Sequence, residues 1–170
     1  MAIIGEYDPK KDIGSTVRFL SSVLEKTDAF ARHIDSQVNI LVGISSGIFI
    51  FSASKMSQID ISPFFVLTIF SGISVIMGLL AIHPPKSLRK RGQAESLFYN
   101  KKIISFSDSD AYFEELNKIV GDSDLIVREF SVEIFNASKY YYRPKRKLFV
   151  WSRNSLLLGI ILSFLLLIFS

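Results

Sequence analysis

ARHIDSQVNILVGISSGIFIF, residues 31–51, opens on Arg32, His33, Asp35, Gln37 and Asn39 and then turns apolar, with Gly43, Ser45, Ser46 and Gly47 set among Ile, Leu, Val and Phe. It reads either as a buried helix of a soluble protein or as a membrane span that starts in a charged collar. Its uncharged part, residues 38–53, is 16 residues long. A helix needs roughly 20 apolar residues to cross a hydrocarbon layer of about 30 Å, with a working range near 17–25. The stretch reaches that range by taking in residues 34–37.

Two further runs favour the membrane. Residues 61–82 carry no charge over 22 positions, and residues 154–170 carry none over 17. Trp151 and Arg153 precede the last run, an aromatic suited to headgroup level and a cation long enough to snorkel. A soluble helical protein accommodates one such run, but not three in 170 residues. The composition agrees: 49% of the side chains are hydrophobic, 15 of them Phe, and the mean hydropathy is +0.33. The expected fold is an all-α integral membrane protein with three transmembrane helices, at 38–53, 61–82 and 154–170. An amphipathic helix precedes them in residues 1–37, and a helical module lies between the second and third spans, in 83–153.

Lys and Arg give the orientation. The loop at 54–60 holds one cation, Lys55, and the segments on the other side hold the remaining 19 of 20. Cytoplasmic segments retain Lys and Arg, so residues 1–37 and 83–153 are expected in the cytoplasm, with Ser170 outside. The first residues show no basic stretch followed by an apolar one, so no cleaved leader is expected.

Small residues mark candidate contact faces. Gly43 and Gly47 form a G-x-x-x-G pair, and Ser74 and Gly78 a similar one, spacings that let helix backbones approach closely in a hairpin or an oligomer. Ahead of the first span, Ile13, Val17, Leu20, Leu24, Thr27, Ala31, Ile34 and Val38 recur at alternating steps of four and three, a seam that runs into the membrane. It suits packing on its own chain or a bundle between subunits.

The middle segment divides by charge. His83-Pro84-Pro85 stops the second span. A basic linker follows, with Lys86, Arg89, Lys90, Arg91, Lys101 and Lys102. In SDSDAYFEELNKIVGD, residues 107–122, Ser107 and Asp110 read as an N-cap and N3 acid, and Gly121 as a stop. Asp122 or Ser123 caps a second helix, which Pro144 is expected to kink or end. Residues 108–133 hold eight acids and two bases, whereas 139–153 hold six bases and no acid. Those cations suit anionic headgroups, at roughly 1 kcal/mol each near the surface, or a phosphate-bearing ligand.

Enzyme chemistry has little to stand on. The chain has no Cys and two His, His33 and His83, with no ligand spacing around either, so neither a zinc site nor a Ser-His-Asp triad is expected. No phosphate-binding glycine loop or dinucleotide fingerprint occurs. No cofactor, metal, enzymatic activity or nucleic-acid polymer partner is expected.

The order of blocks resembles a known family. A helix ends in an Asp-containing collar (ARHIDSQVNIL), and two spans and a basic-aromatic linker (SLFYNKKI) follow. An acidic helix (SDAYFEEL) comes next, then a long helix entering a basic-aromatic stretch before the last span (EIFNASKYYYRPKRKLFVWS). From about residue 13 to 169 this resembles the Pycsar membrane effectors of bacterial antiphage defence. One departure stands out. The family's collar reads Asp-x-Lys-Ala, whereas here Asp35 is followed by Gln37 and Val38.

The resemblance implies an inner-membrane effector activated by a cyclic pyrimidine mononucleotide, cCMP or cUMP, which damages the membrane of infected cells by forming a pore. On that reading Arg32, Lys101, Lys102, Arg143 and Lys147 are candidates for the nucleotide phosphate. Tyr99, Tyr140 and Tyr141 are candidates for stacking its base, with plain helix packing or interfacial anchoring as the alternative for each. In a homo-oligomer Asn39, Ser45, Ser46 and Ser52 would line a wet path, since polar groups in a membrane face protein or water. The contrasting reading is a membrane scaffold or anchor that recruits a soluble partner through its cytoplasmic helices.

Overall fold

The computed structural model describes residues 13–56, 63–85, 87–88 and 95–169. The linker cations Lys86, Arg89, Lys90 and Arg91 lie outside the described residues, as do residues 1–12 and 57–60. Every regular element among the described residues is helical: α1 Ile13–Ser54, α2 Pro63–Ile82, α3 Asn100–Ile104, α4 Ser109–Val120, α5 Ser123–Asn136 and α6 Arg143–Phe169. Three helical stretches are long and apolar enough to cross a membrane, in Ile13–Ser54, Pro63–Ile82 and Ser123–Phe169. The helix expected ahead of the first span and the span itself are one uninterrupted helix of 42 residues.

The chain divides into two compact units, one of residues 1–29 and 91–140, the other of residues 30–90 and 141–170. The second unit is a three-helix bundle of lower α1, α2 and α6. Its register follows from hydrogen bonds. Ser45 and Ser52 of α1 meet Ser74 and Thr68 of α2, so the numbers rise on one helix as they fall on the other and the pair is antiparallel. Ser152, Ser155 and Ser163 of α6 donate to the carbonyls of Ser74, Phe70 and Pro63, which makes α6 antiparallel to α2 as well. Helices α1 and α6 therefore run the same way.

Close approach is set by glycine. A side chain at Gly78 would overlap Val42 of α1, and one at Gly159 would overlap Phe70 of α2 near its backbone. Gly43 and Gly47 have nothing within 4 Å of where a Cβ would stand. The core of the bundle, Ile34, Val38, Ala81 and Leu148, gathers at the end nearer the collar. Ala31, Ile34 and Val38 of the heptad seam are buried there, while Val17, Leu20, Leu24 and Thr27 are half-buried. Pro63 is the first residue of α2, where its missing N–H and fixed φ cost nothing.

In the first unit α4 packs on α5. The N-cap of α4 is Asp108, whose side chain accepts from the Ala111 N–H at 2.8 Å, one residue later than expected. Ser107 instead donates to Asp108. The Ala111 N–H, then Ser107, hold the Asp108 carboxyl below its usual pKa. Asp122 caps α5 through the Asp124 N–H. Pro144, expected to kink or end the long helix, does not end it. It sits in the first turn of α6, and a π-helical turn at Ala137–Tyr142 precedes it. The pyrrolidine ring would strike the carbonyl four residues back, at Tyr140, and a widened turn relieves that contact.

Candidate functional site

Hydroxyl groups tie the bundle together in its apolar interior. Ser45 Oγ lies 2.8 Å from Ser74 Oγ, which lies 3.0 Å from Ser152 Oγ, and all three residues are fully buried. Ser152 also donates to the Ser74 carbonyl at 2.7 Å. One turn pair further along, Thr68 Oγ1 donates to Ser52 Oγ at 2.9 Å. In hydrocarbon an unmet hydroxyl costs several kcal/mol, by rough transfer estimates. These serines are thus satisfied by one another, by the Ser74 carbonyl and, for Ser52, by the Ile48 carbonyl of its own helix. Ser45, Ser52, Ser74 and Gly78 accordingly lie inside the bundle.

The opposite side of α1 is different. Arg32, Ser36, Asn39, Gly43 and Gly47 are all exposed and recur at helical spacing, with Ser46 half-exposed beside them. The Asn39 carboxamide, two residues inside the expected span, makes no hydrogen bond among the described residues. The bundle leaves this small and polar face of α1 uncovered.

At the collar end the structure brings Asp35 to Lys145, 110 positions away along the chain, beside Tyr141. Lys145 of α6 donates to Asp35 of α1 at 2.6 Å and to the Tyr141 hydroxyl at 3.0 Å, with its ammonium 4.3 Å from the centre of the Tyr141 ring. Its side chain is 2% exposed, against 38% for Asp35. Burial pulls the Lys145 pKa down, but the hydrogen bonds to Asp35 and Tyr141 outweigh it and hold the group above its ordinary value. Lys145 was not singled out in the sequence because it stands in a run of cations, and nothing local distinguishes an inward lysine from solvated ones. A helical-wheel signal was present: Lys145 shares its face with Leu148, Ser152, Leu156, Gly159 and Ser163, all buried. Arg143, Arg146, Lys147 and Arg153 stand on the other side of α6, all exposed. Of the three candidate tyrosines, Tyr141 is committed to the lysine.

Lys101, Lys102, Tyr99 and Tyr140 belong to the first unit. The approach to α3 is fixed by α5: Glu129 accepts from the Leu97 N–H at 2.8 Å, Glu133 accepts from the Ser96 hydroxyl, and Phe98 packs on Phe130 with ring centres 4.9 Å apart. Two acids of the acidic segment thus hold the polypeptide just ahead of Tyr99. Lys101 lies 3.6 Å from Glu95, and Lys102 lies 5.7 Å from the Phe106 ring centre. Tyr140 packs edge-on to Phe135, and Lys139 stands over both rings. The phosphate candidates are therefore divided, Lys101 and Lys102 in the first unit, and Arg32, Arg143 and Lys147 in the second. Among the described residues no group of acids and histidines is arranged to hold a metal ion.

The family model of the Pycsar effector protein domain matches residues 19–170. No curated protein and no solved structure matches the chain.

Proposed function

The chain belongs to the Pycsar effector protein family and is a membrane effector of antiphage defence, and from that membership we propose that a cyclic pyrimidine mononucleotide, cCMP or cUMP, activates it to form a homo-oligomeric pore in the bacterial inner membrane. The action is non-enzymatic. The observation that carries the pore is the uncovered face of α1. Arg32, Ser36, Asn39, Gly43 and Gly47 are paired with nothing in the bundle. Small residues let a second helix come close, and an intramembrane carboxamide is satisfied by protein or water. Faces of this kind from several copies would enclose a polar path, with Arg32 at its mouth. Ser45 and Ser52 serve the bundle instead, so the path is lined by Asn39, Ser46 and the glycine backbones. The nucleotide phosphate is met by Lys101 and Lys102, neighbours within the first unit. The orientation that retains 19 cations in the cytoplasm puts these on the side where the nucleotide is made.

Leakage of dye from liposomes carrying the full chain tests the reading, with cCMP, cUMP and a purine cyclic nucleotide added in turn. Release with one pyrimidine nucleotide alone is the expected result. Tight vesicles under all of them, with insertion verified, would replace it with the second reading, an anchor for a soluble partner. That second reading draws on Phe113, Val120 and Phe135, which are 59%, 62% and 52% exposed on α4 and α5.

A further inference from the structure

The outward side of α6 carries a row of cations where the helix meets its uncharged run. Arg143, Arg146, Lys147 and Arg153 recur at steps of three, one and six, which places them within one side of the helix, and all are exposed. None makes an ion pair among the described residues. Trp151, 53% exposed, flanks the row, with the Lys147 ammonium 5.2 Å from its ring centre. At about 1.5 Å per residue the row rises about 15 Å from Arg153 to Arg143. Arg153 adjoins the hydrocarbon boundary at Asn154. Lys147 and Arg146 stand about 10 Å above it, within the reach of a snorkelling side chain plus one Debye length of roughly 8–10 Å.

The acid that would oppose an anionic partner is silenced. Asp35 is the one carboxylate among the described residues of this bundle, and Lys145 holds it from inside at 2.6 Å. One cation of the cluster is thus spent on the acid, and the surface that remains is wholly basic.

We propose that this row of α6 is a docking surface for anionic phospholipid, with the long side chains of Arg146, Lys147 and Arg153 reaching the phosphate layer, Arg143 above it within a Debye length, and the Trp151 ring at glycerol level. The shape of the row favours this occupant. The cations project from one convex helix side that continues directly into a span, which brings the lower ones to the phosphate layer of the leaflet, whereas a convex side offers a single dissolved ion no concave cradle. The proposal depends on neither the nucleotide nor the pore.

Trp151 is the only tryptophan in the chain, so its fluorescence reads the lipid beside α6. The full chain is reconstituted into phosphatidylcholine vesicles that contain, at equal mole fraction, either dibrominated phosphatidylcholine or dibrominated phosphatidylglycerol. Anionic lipid is expected to quench more strongly, with an enrichment of about two- to five-fold beside Trp151 that shrinks as chloride salt shortens the Debye length. Equal quenching by the two lipids in the unaltered protein overturns the proposal, and this comparison needs no variant. In R143Q/R146Q/K147Q, whose altered side chains are all exposed and outside the core, the enrichment should fall to near one-fold. A preference kept in that variant removes the assignment to this row. A preference abolished by inorganic phosphate, but not by chloride at the same ionic strength, identifies a soluble phosphate site and likewise overturns it.

Discussion

A lysine whose side chain is 2% exposed must be compensated at every donor it keeps, because a buried ammonium without partners costs several kcal/mol, on the order of the effective desolvation penalty. Lys145 has a carboxylate, a phenol oxygen and a ring face. Removing one partner leaves the other stranded, so Asp35→Asn should destabilise the protein by about 2 kcal/mol, a figure reduced from the fully buried case for the exposure of Asp35. Lys145→Met should cost less, since the carboxylate it abandons reaches water and the new side chain fits an apolar site. The double variant should cost no more than Asp35→Asn alone. Unfolding in mixed micelles followed by circular dichroism measures this cycle, and additive losses would show that the two groups do not act as a pair. Asp35 was legible in the sequence as the acid of the collar. Its partner was not, because the contact spans 110 positions of the chain and joins helices whose relative rotation only packing decides. The same is true of Ser45, Ser74 and Ser152. As small residues at helical spacing they announce a close contact, yet spacing alone does not say whether the partner is the same chain or a second copy.

Helices supply that rotation. Helix α2 packs on α1 and α6, antiparallel to both, and Gly78 and Gly159 are where its backbone draws close to them. That three helices are long and apolar enough to cross a membrane could be read directly, because long uncharged runs have one stable solution in hydrocarbon. The faces they use could not. Gly43 and Gly47 make the better-known pair, but Ser45 and Ser52, together with Ile34 and Val38, set which side of α1 is buried, and that turns the glycines outward. A valine at Gly159 would strike Phe70 close to its backbone, where relief requires helix movement, so Gly159→Val should destabilise the bundle by about 1–3 kcal/mol. Gly43→Val enters open space and should leave the unfolding midpoint within about 0.5 kcal/mol of the parent, while blocking nucleotide-triggered leakage through the α1 face. Measuring both variants by micelle unfolding and by liposome release separates the two surfaces. Equal destabilisation by the two substitutions would show that α1 is rotated differently from the structure. At Pro144 the sequence signalled an interruption correctly but not its form, since a π turn and a helix end relieve the same clash at Tyr140.

At the scale of the whole molecule, three spans and a one-sided charge distribution leave a single arrangement in which few cations cross. Helices α1 and α6 point the same way and α2 returns between them, so Met56, just after α1, and Phe169, the last described residue of α6, emerge on one side. Ser87, just after α2, emerges on the other. The chain contains no cysteine, which allows each position to be probed singly. Met56→Cys and Phe169→Cys should react with a membrane-impermeant maleimide added to intact spheroplasts. Ser87→Cys and Ser105→Cys should react only after the membrane is opened. The charge imbalance makes this the strong expectation: reversing the orientation would carry 19 of the 20 Lys and Arg across the membrane and retain only Lys55. Labelling of Ser87→Cys from outside would put Lys101, Lys102, Arg143 and Lys147 on the far side from any nucleotide made in the cytoplasm. It would remove the ligand-gated reading while leaving the bundle, its serine seam and the Lys145–Asp35 pair untouched.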